Sequence, residues 1–231
     1  VRLSIDAHLP TSDNIMILGE PGSGKSTLLR YLVLDLLSTH PKLKNITKKW
    51  GDLLPIWLPF AFITKNLHRD ENLNLSDLLC LWFRSNNSES IFDIVKDALD
   101  DERLLLVVDG VDEWTNITVA KQAIAKIETQ TSLKNAKVIY SSRPYGYRLQ
   151  QEYFQQLQIH TIANLSDTQK KEHISYWYTK LMAHLNKTIN GYVELETNQF
   201  LVELKKSKDL YRLSDNPLLL SILISQRFQN A

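Results

Sequence analysis

The chain has 231 residues, 43% of them hydrophobic, and its 27 Lys and Arg nearly balance 26 Asp and Glu to leave a net charge of +1. That length accommodates one large domain plus a small one, and the near-neutral balance gives no global electrostatic footprint for nucleic acid or acidic lipid. The lone Cys80 excludes an internal disulfide and a cysteine-rich zinc site, and it reads as a small core residue in a reducing compartment.

No apolar run is long enough to cross a bilayer and no signal peptide precedes the first strand, so a cytoplasmic protein without membrane contact is expected. The Asn-x-Ser/Thr triplets at Asn45, Asn74, Asn116, Asn164 and Asn186 are then chance matches. Lys205, Lys206 and Lys208 form a local basic cluster that reads as a solvated helix end. The chain opens at Val1 and stops within an apolar helix, as a piece of a larger protein would.

In chain order, the first signal is a short apolar strand over residues 14–18. It runs into Gly19-Glu20-Pro21-Gly22-Ser23-Gly24-Lys25-Ser26-Thr27, which matches the phosphate-binding pattern G-x-x-x-x-G-K-[ST]. Leu28, Leu29, Leu32, Val33, Leu36 and Leu37 follow at helical spacing. Strand, glycine loop and helix are the context in which that pattern binds phosphate. Glycines let successive N–H groups curl toward phosphate oxygens, and the helix N-terminus adds partial positive charge. Lys25 can reach the β- and γ-phosphates, and the Ser26 hydroxyl can ligate Mg²⁺.

A polar stretch, residues 40–52, leads to a strand over residues 53–61 whose Pro55 and Pro59 point to a sheet edge. Leu75-Ser76-Asp77 predicts a helix with a serine N-cap, and residues 91–99 predict another. Leu104 to Val108, apolar throughout, reads as a strand buried on both faces, and it ends in Asp109-Gly110-Val111-Asp112-Glu113-Trp114. Three carboxylates crowded at the carboxyl end of such a strand repel one another and serve no structural purpose. A divalent cation resolves the conflict, with Asp109 placed to hold Mg²⁺ and either Asp112 or Glu113 placed to deprotonate an attacking water.

A helix over residues 119–132 precedes a strand over residues 136–140, which ends at Ser141-Ser142-Arg143-Pro144. If that strand neighbours the acidic one, Arg143 can touch a γ-phosphate. Residues 155–163, with Leu157, Ile159 and Thr161 or Ile162 alternating, form a last strand. Strands alternating with helices predict a three-layer αβα domain with a mainly parallel sheet over residues 1–163.

A small all-α domain is predicted from residue 164 onward. There Ser166 and Gln169 make a capping box, and Ile174, Trp177, Tyr178, Leu181 and Leu185 keep helical spacing. A second helix covers residues 197–206. Pro217 opens a third that is apolar on nearly every face, and such a helix must be buried or continue into a partner.

A guanine-recognition signature fails at its last position in residues 186–189, which favours adenine. A small-molecule kinase would need an acceptor pocket and no hydrolytic base. A whole strand, residues 53–61, separates the phosphate loop from the acidic strand along the chain, as in ATPases that carry a catalytic acid.

The Gly-Glu-Pro-Gly-Ser-Gly-Lys-Ser loop, the Asp-Gly-Val-Asp-Glu box and Ser-Ser-Arg-Pro together resemble the NACHT domain. That family belongs to the STAND branch of P-loop NTPases, with NOD-like receptors of innate immunity and bacterial antiviral-defence relatives. Leu165-Ser166-Asp167 resembles the entry to its first helical domain, and Asn216-Pro217-Leu218-Leu219 its proline motif.

The resemblance implies that residues 19–27 bind ATP or ADP, that Ser26 and Asp109 bind Mg²⁺, and that Glu113, with Asp112 as candidate, handles the water. It implies Arg143 as γ-phosphate sensor and Pro217 as the nucleotide-facing residue of the helical domain. ADP would hold the two domains closed, and ATP would promote self-association, with slow hydrolysis as the reset. The family's winged-helix domain, N-terminal effector and C-terminal sensor have no counterpart in this segment. Two other readings stand beside this one: a continuously cycling AAA+ motor, which would need a second sensor arginine where only Arg212 and Arg227 remain, and a scaffold that binds nucleotide without turnover.

Overall fold

The computed structural model describes residues 4–184 and 192–229, so Leu185, Asn186 and the rest of the guanine-signature position lie outside the described residues. The first part of the chain alternates strands and helices. In order these are α1 (Ile5–His8), β1 (Asn14–Leu18), α2 (Lys25–Leu36), α3 (Lys44–Trp50), β2 (Leu54–Pro59), α4 (Phe60–Leu67), α5 (Leu75–Ser85) and α6 (Phe92–Asp100). Then come β3 (Leu104–Asp109), α7 (Ile117–Leu133), β4 (Lys137–Ser142), α8 (Pro144–Arg148) and β5 (Gln158–Thr161). The five strands form one sheet in the order β2-β3-β4-β1-β5, with every pairing parallel. All six residues of β3 are buried, as its unbroken apolar run requires when both faces of a central strand are covered.

The prolines of β2 sit where they cost least, because that strand is at the edge and pairs with β3 alone. β2 separates the phosphate loop from the acidic strand along the chain, but in the sheet the intervening strand is β4. The apolar stripe of α2 centres on Leu29 and Leu32, while Asp35, 7% exposed, turns inward to accept the Lys42 and Leu43 amides. Leu37, expected on that stripe, is exposed.

Four local expectations need correction. The α5 N-cap is Asn74 and not Ser76: the Asn74 side chain accepts from the Asp77 amide, and Asp77 returns the bond in a full capping box. The polar stretch before β2 contains α3, whose Ile46 and Trp50 are buried. β5 is only four residues long and shows no alternation, because it lies at the other edge with Ile159 48% exposed. Cys80 is only partly buried.

By its internal contacts the chain divides into two compact units, residues 1–20 with 25–161 and residues 21–24 with 162–231. The second unit is helical, with α9 (Asp167–His184), α10 (Tyr192–Lys206), α11 (Lys208–Leu213) and α12 (Pro217–Gln229). Its α9 opens with the predicted Ser166–Gln169 capping box. Its core is small and gathers Ile174, Tyr178, Phe200, Leu204, Leu220 and Ile224, among others. Only Leu220 and Ile224 of α12 are buried while Leu218, Leu219 and Ile222 are exposed, so of the two expectations for this all-round apolar helix, burial or continuation into a partner, burial within this chain is not met.

Candidate nucleotide site

In the first unit the strand order brings the carboxyl ends of β1, β4 and β3 side by side. Pairing continues past the strands, with the Gly19 amide donating to Ser142 O at 3.2 Å and the Val111 amide to Ser141 O at 2.8 Å. The phosphate loop, the Ser-Ser-Arg segment and the acidic box therefore emerge from adjacent strand tips. That is where open parallel sheets place ligands.

Gly22 and Gly24 hold φ values of 75° and 94°, conformations that only glycine adopts without strain, which explains two of the loop's fixed positions. In the helical unit, Asn216 Nδ2 donates to Pro21 O at 2.8 Å, and a Cβ added to Gly22 would lie 2.7 Å from the Leu218 Cβ. Lys25 begins α2, and its Nζ donates to Gly19 O at 2.7 Å and Glu20 O at 3.2 Å. Burial lowers its pKa, opposed by Asp112 and Asp109 and assisted by Arg143. Ser26 and Thr27 follow on the exposed first turn.

The three carboxylates of the acidic box have different surroundings. Asp109, 8% exposed, accepts from Ser141 Oγ through Oδ1 at 2.5 Å. Its Oδ2 has no hydrogen-bond donor among the described residues. Gly110 turns the chain with φ 74°, and the Glu113 amide closes the turn on Gly110 O at 2.8 Å. Asp112 is held at both oxygens by one residue, with the Arg143 amide on Oδ1 at 2.9 Å and the Arg143 Nε by Oδ2 at 3.1 Å. Gly146 of α8 packs so closely that a Cβ there would sit 2.2 Å from the Asp112 Cβ.

Glu113 has no such partner among the described residues. Partial burial raises its pKa, and the charges of Asp112 and Asp109 push it the same way against the weaker pull of Arg143 and Lys25. Lys25, Asp109, Asp112, Glu113 and Arg143 thus share one electrostatic neighbourhood, whereas Pro217 opens α12 of the helical unit.

In the sequence Ser141 stands out only as part of the Ser-Ser-Arg-Pro segment, with no role of its own, and Gly146 does not stand out at all. The signal that could have found Ser141 is a hydroxyl residue ending the strand next to an acidic strand. Gly146 carries no sequence signal beyond being one of 7 glycines.

Among the described residues no group of three or more His, Cys, Asp or Glu could hold a metal on its own. That is compatible with Mg²⁺ in a nucleotide site, which takes one or two protein oxygens and completes its shell with phosphates and water. The Oδ2 of Asp109, with no donor among the described residues, and the exposed Ser26 fit such a group.

A parallel sheet, a glycine phosphate loop ahead of Lys25 and an acidic strand tip define a P-loop NTPase. The family model of the NACHT domain matches residues 13–180, and the chain belongs to that family. It is therefore a nucleotide-binding NTPase module. No curated protein matches the chain.

Among solved structures it is similar to the replication initiator DnaA bound to AMPPCP and single-stranded DNA, at 16% identity over 90% of this chain and 60% of that one, TM-score 0.43. It is also similar to AMPPCP-bound DnaA from Aquifex aeolicus, at 14% identity over 90% of this chain and 63% of that one, TM-score 0.43. C. elegans PCH-2 matches at 14% identity over 95% of this chain and 55% of that one, TM-score 0.48. The chain spans 55% to 63% of the length of these structures. No described helix is long and apolar enough to cross a membrane.

Proposed function

We propose that this chain is the switch module of a NACHT-type signalling or defence protein, with nucleotide bound by residues 1–163 and a helical part from residue 164. ADP holds the resting form, ATP promotes self-association, and slow hydrolysis resets the module. A nucleotide can bias such an equilibrium only through contacts that differ between the two forms, and the γ-phosphate is the difference between ATP and ADP.

The observation that carries this reading is the capture of both Asp112 oxygens by Arg143. Asp112 is thereby a mount for the arginine, and Glu113 is the carboxylate left to accept a proton from water. Its raised pKa brings it nearer the value that suits a general base at neutral pH. Lys25 binds the β- and γ-phosphates, and Ser26 and Asp109 hold Mg²⁺, which would supply charge neutralisation on the phosphates. An arginine already shared with Asp112 is a weak clamp on a transferring phosphoryl group, so turnover on the order of 10⁻² s⁻¹ or slower is expected.

The test is Glu113→Gln. Retained ATP with phosphate release at least about a hundredfold slower supports the assignment, whereas release at the wild-type rate overturns it.

A further inference from the structure

We propose that Ser141 is a positioning residue for Asp109, its hydroxyl fixing which carboxylate oxygen is presented to a divalent cation. The inference rests on the nucleotide–metal reading above and adds a residue to it.

Ser141 lies at the penultimate position of β4 and is fully buried. Three bonds tie it to the acidic segment of the neighbouring strand. Its Oγ accepts from the Gly110 amide at 2.9 Å, its Oγ lies 2.5 Å from Asp109 Oδ1, and its carbonyl accepts from the Val111 amide at 2.8 Å. A hydroxyl has a single proton, and an Oγ already accepting from an amide gives that proton to the carboxylate. Asp109 Oδ1 is therefore occupied from inside the sheet, and Oδ2 is the oxygen left for a ligand.

Purely structural demands would be met by an apolar residue at a fully buried strand position. Here the hydroxyl joins the metal carboxylate and the first amide of the acidic loop, so one side chain sets both the rotamer of Asp109 and the start of the turn that carries Glu113. Removing such an outer-shell hydrogen bond lowers metal affinity by about tenfold to a hundredfold in metalloproteins generally.

Ser142 provides an internal control. It is equally buried, but its Oγ donates to Arg143 O at 2.9 Å and, among the described residues, to no carboxylate.

The experiment titrates Mg²⁺ into the chain with fluorescently labelled ATP and reads the Mg²⁺ concentration at half-maximal tightening, alongside binding in EDTA. Ser141→Ala is expected to raise that midpoint about tenfold or more, with EDTA binding within about twofold of wild type. Ser141→Thr, which keeps the hydroxyl, and Ser142→Ala are expected to keep the wild-type midpoint. An unshifted midpoint in Ser141→Ala overturns the proposal, as does an equal shift in Ser142→Ala.

If Ser141→Ala does not fold, Ser141→Cys replaces it, since a thiol is a weak donor of similar size. A wild-type midpoint in that variant overturns the proposal equally. Wild-type binding that ignores Mg²⁺ altogether has a distinct signature, because it overturns the metal reading itself and this inference with it.

Discussion

The acidic box and the helical unit handle charge in opposite ways. In the helical unit, cations withdrawn from water have counterions close by. Lys170, 1% exposed, lies 2.6 Å from Asp215 and 3.7 Å from the centroid of the Tyr211 ring. Arg227 binds Glu196 at 2.7 Å, Glu203 at 2.8 Å and the Tyr178 hydroxyl at 2.6 Å. At the tips of β3 and β4 the signs do not cancel locally: three carboxylates share Arg143 and Lys25, and burial together with the charges of Asp112 and Asp109 raises the pKa of Glu113. Removing one partner of a buried pair exposes the other as an uncompensated charge, whereas Glu113 has no partner to lose among the described residues.

Lys25→Ala and Arg227→Met should separate the two regimes. Lys25→Ala is expected to weaken ATP binding by at least about a hundredfold, roughly 2.7 kcal/mol, while urea denaturation stays within about 1 kcal/mol of wild type. The lysine is desolvated and bonded only to its own loop, so the fold gains little from it. A large stability loss would show that this charge is structural after all.

Arg227→Met should do the reverse and destabilise the helical unit. Glu196 is left nearly buried with no cation, while Glu203 is half exposed. The cost falls between the roughly 0–1 kcal/mol of exposed pairs and the roughly 3–5 kcal/mol of buried ones, on the order of 2 kcal/mol. Adding Glu196→Met should recover part of it in urea titrations, and no recovery would mean that the arginine acts by packing on Phe200, whose ring centroid is 5.1 Å from its guanidinium.

Much of this was legible in the sequence, for reasons that differ by element. β3 and the phosphate loop announce themselves because their requirements are local, an unbroken apolar run and glycines at positive φ. The Pro55 and Pro59 positions in β2 told its edge place by the same logic. What the sequence could not tell was which of Asp112 and Glu113 is free. That is decided by Arg143, 31 residues further along the chain and brought to Asp112 by strand pairing. Gly146 escaped for the same reason, since its close approach to Asp112 exists only once α8 is in place. The sequence left open whether α12 is buried or continues into a partner, because apolar residues predict burial only where enough partners exist to cover them.

Asp112→Asn tests the division inside the acidic box. The asparagine keeps Oδ1 for the Arg143 amide but loses the ion pair with a half-exposed guanidinium, worth about 0.2–1 kcal/mol. Freed for phosphate, Arg143 should raise the preference for ATP over ADP by up to about fivefold in competition binding. Hydrolysis should persist, with its acid limb moved to lower pH. A base is active when ionised and fails as pH falls through its pKa, and removing the Asp112 charge lowers the Glu113 pKa toward its ordinary value. Loss of turnover as complete as in Glu113→Gln would make Asp112 the base.

The smallest effect is expected from His173, a partly buried helical-unit imidazole with no counterion among the described residues. His173 Nε2 accepts from Trp177 Nε1 at 3.1 Å and lies 2.8 Å from Ser221 Oγ, so the ring is neutral with its proton on Nδ1. Burial lowers its pKa below 6.5, so the unfolded chain binds the proton more readily than the folded one. The associated stability is complete above pH 6.5 and declines as pH falls from there through the lower folded value. His173→Gln should flatten that part of the stability–pH curve in urea titrations between pH 5 and 8, leaving the neutral-pH midpoint nearly unchanged because glutamine can still accept from Trp177. An unaltered slope would place the pH sensitivity elsewhere, with His160, also lowered by burial in the first unit, the next group to replace.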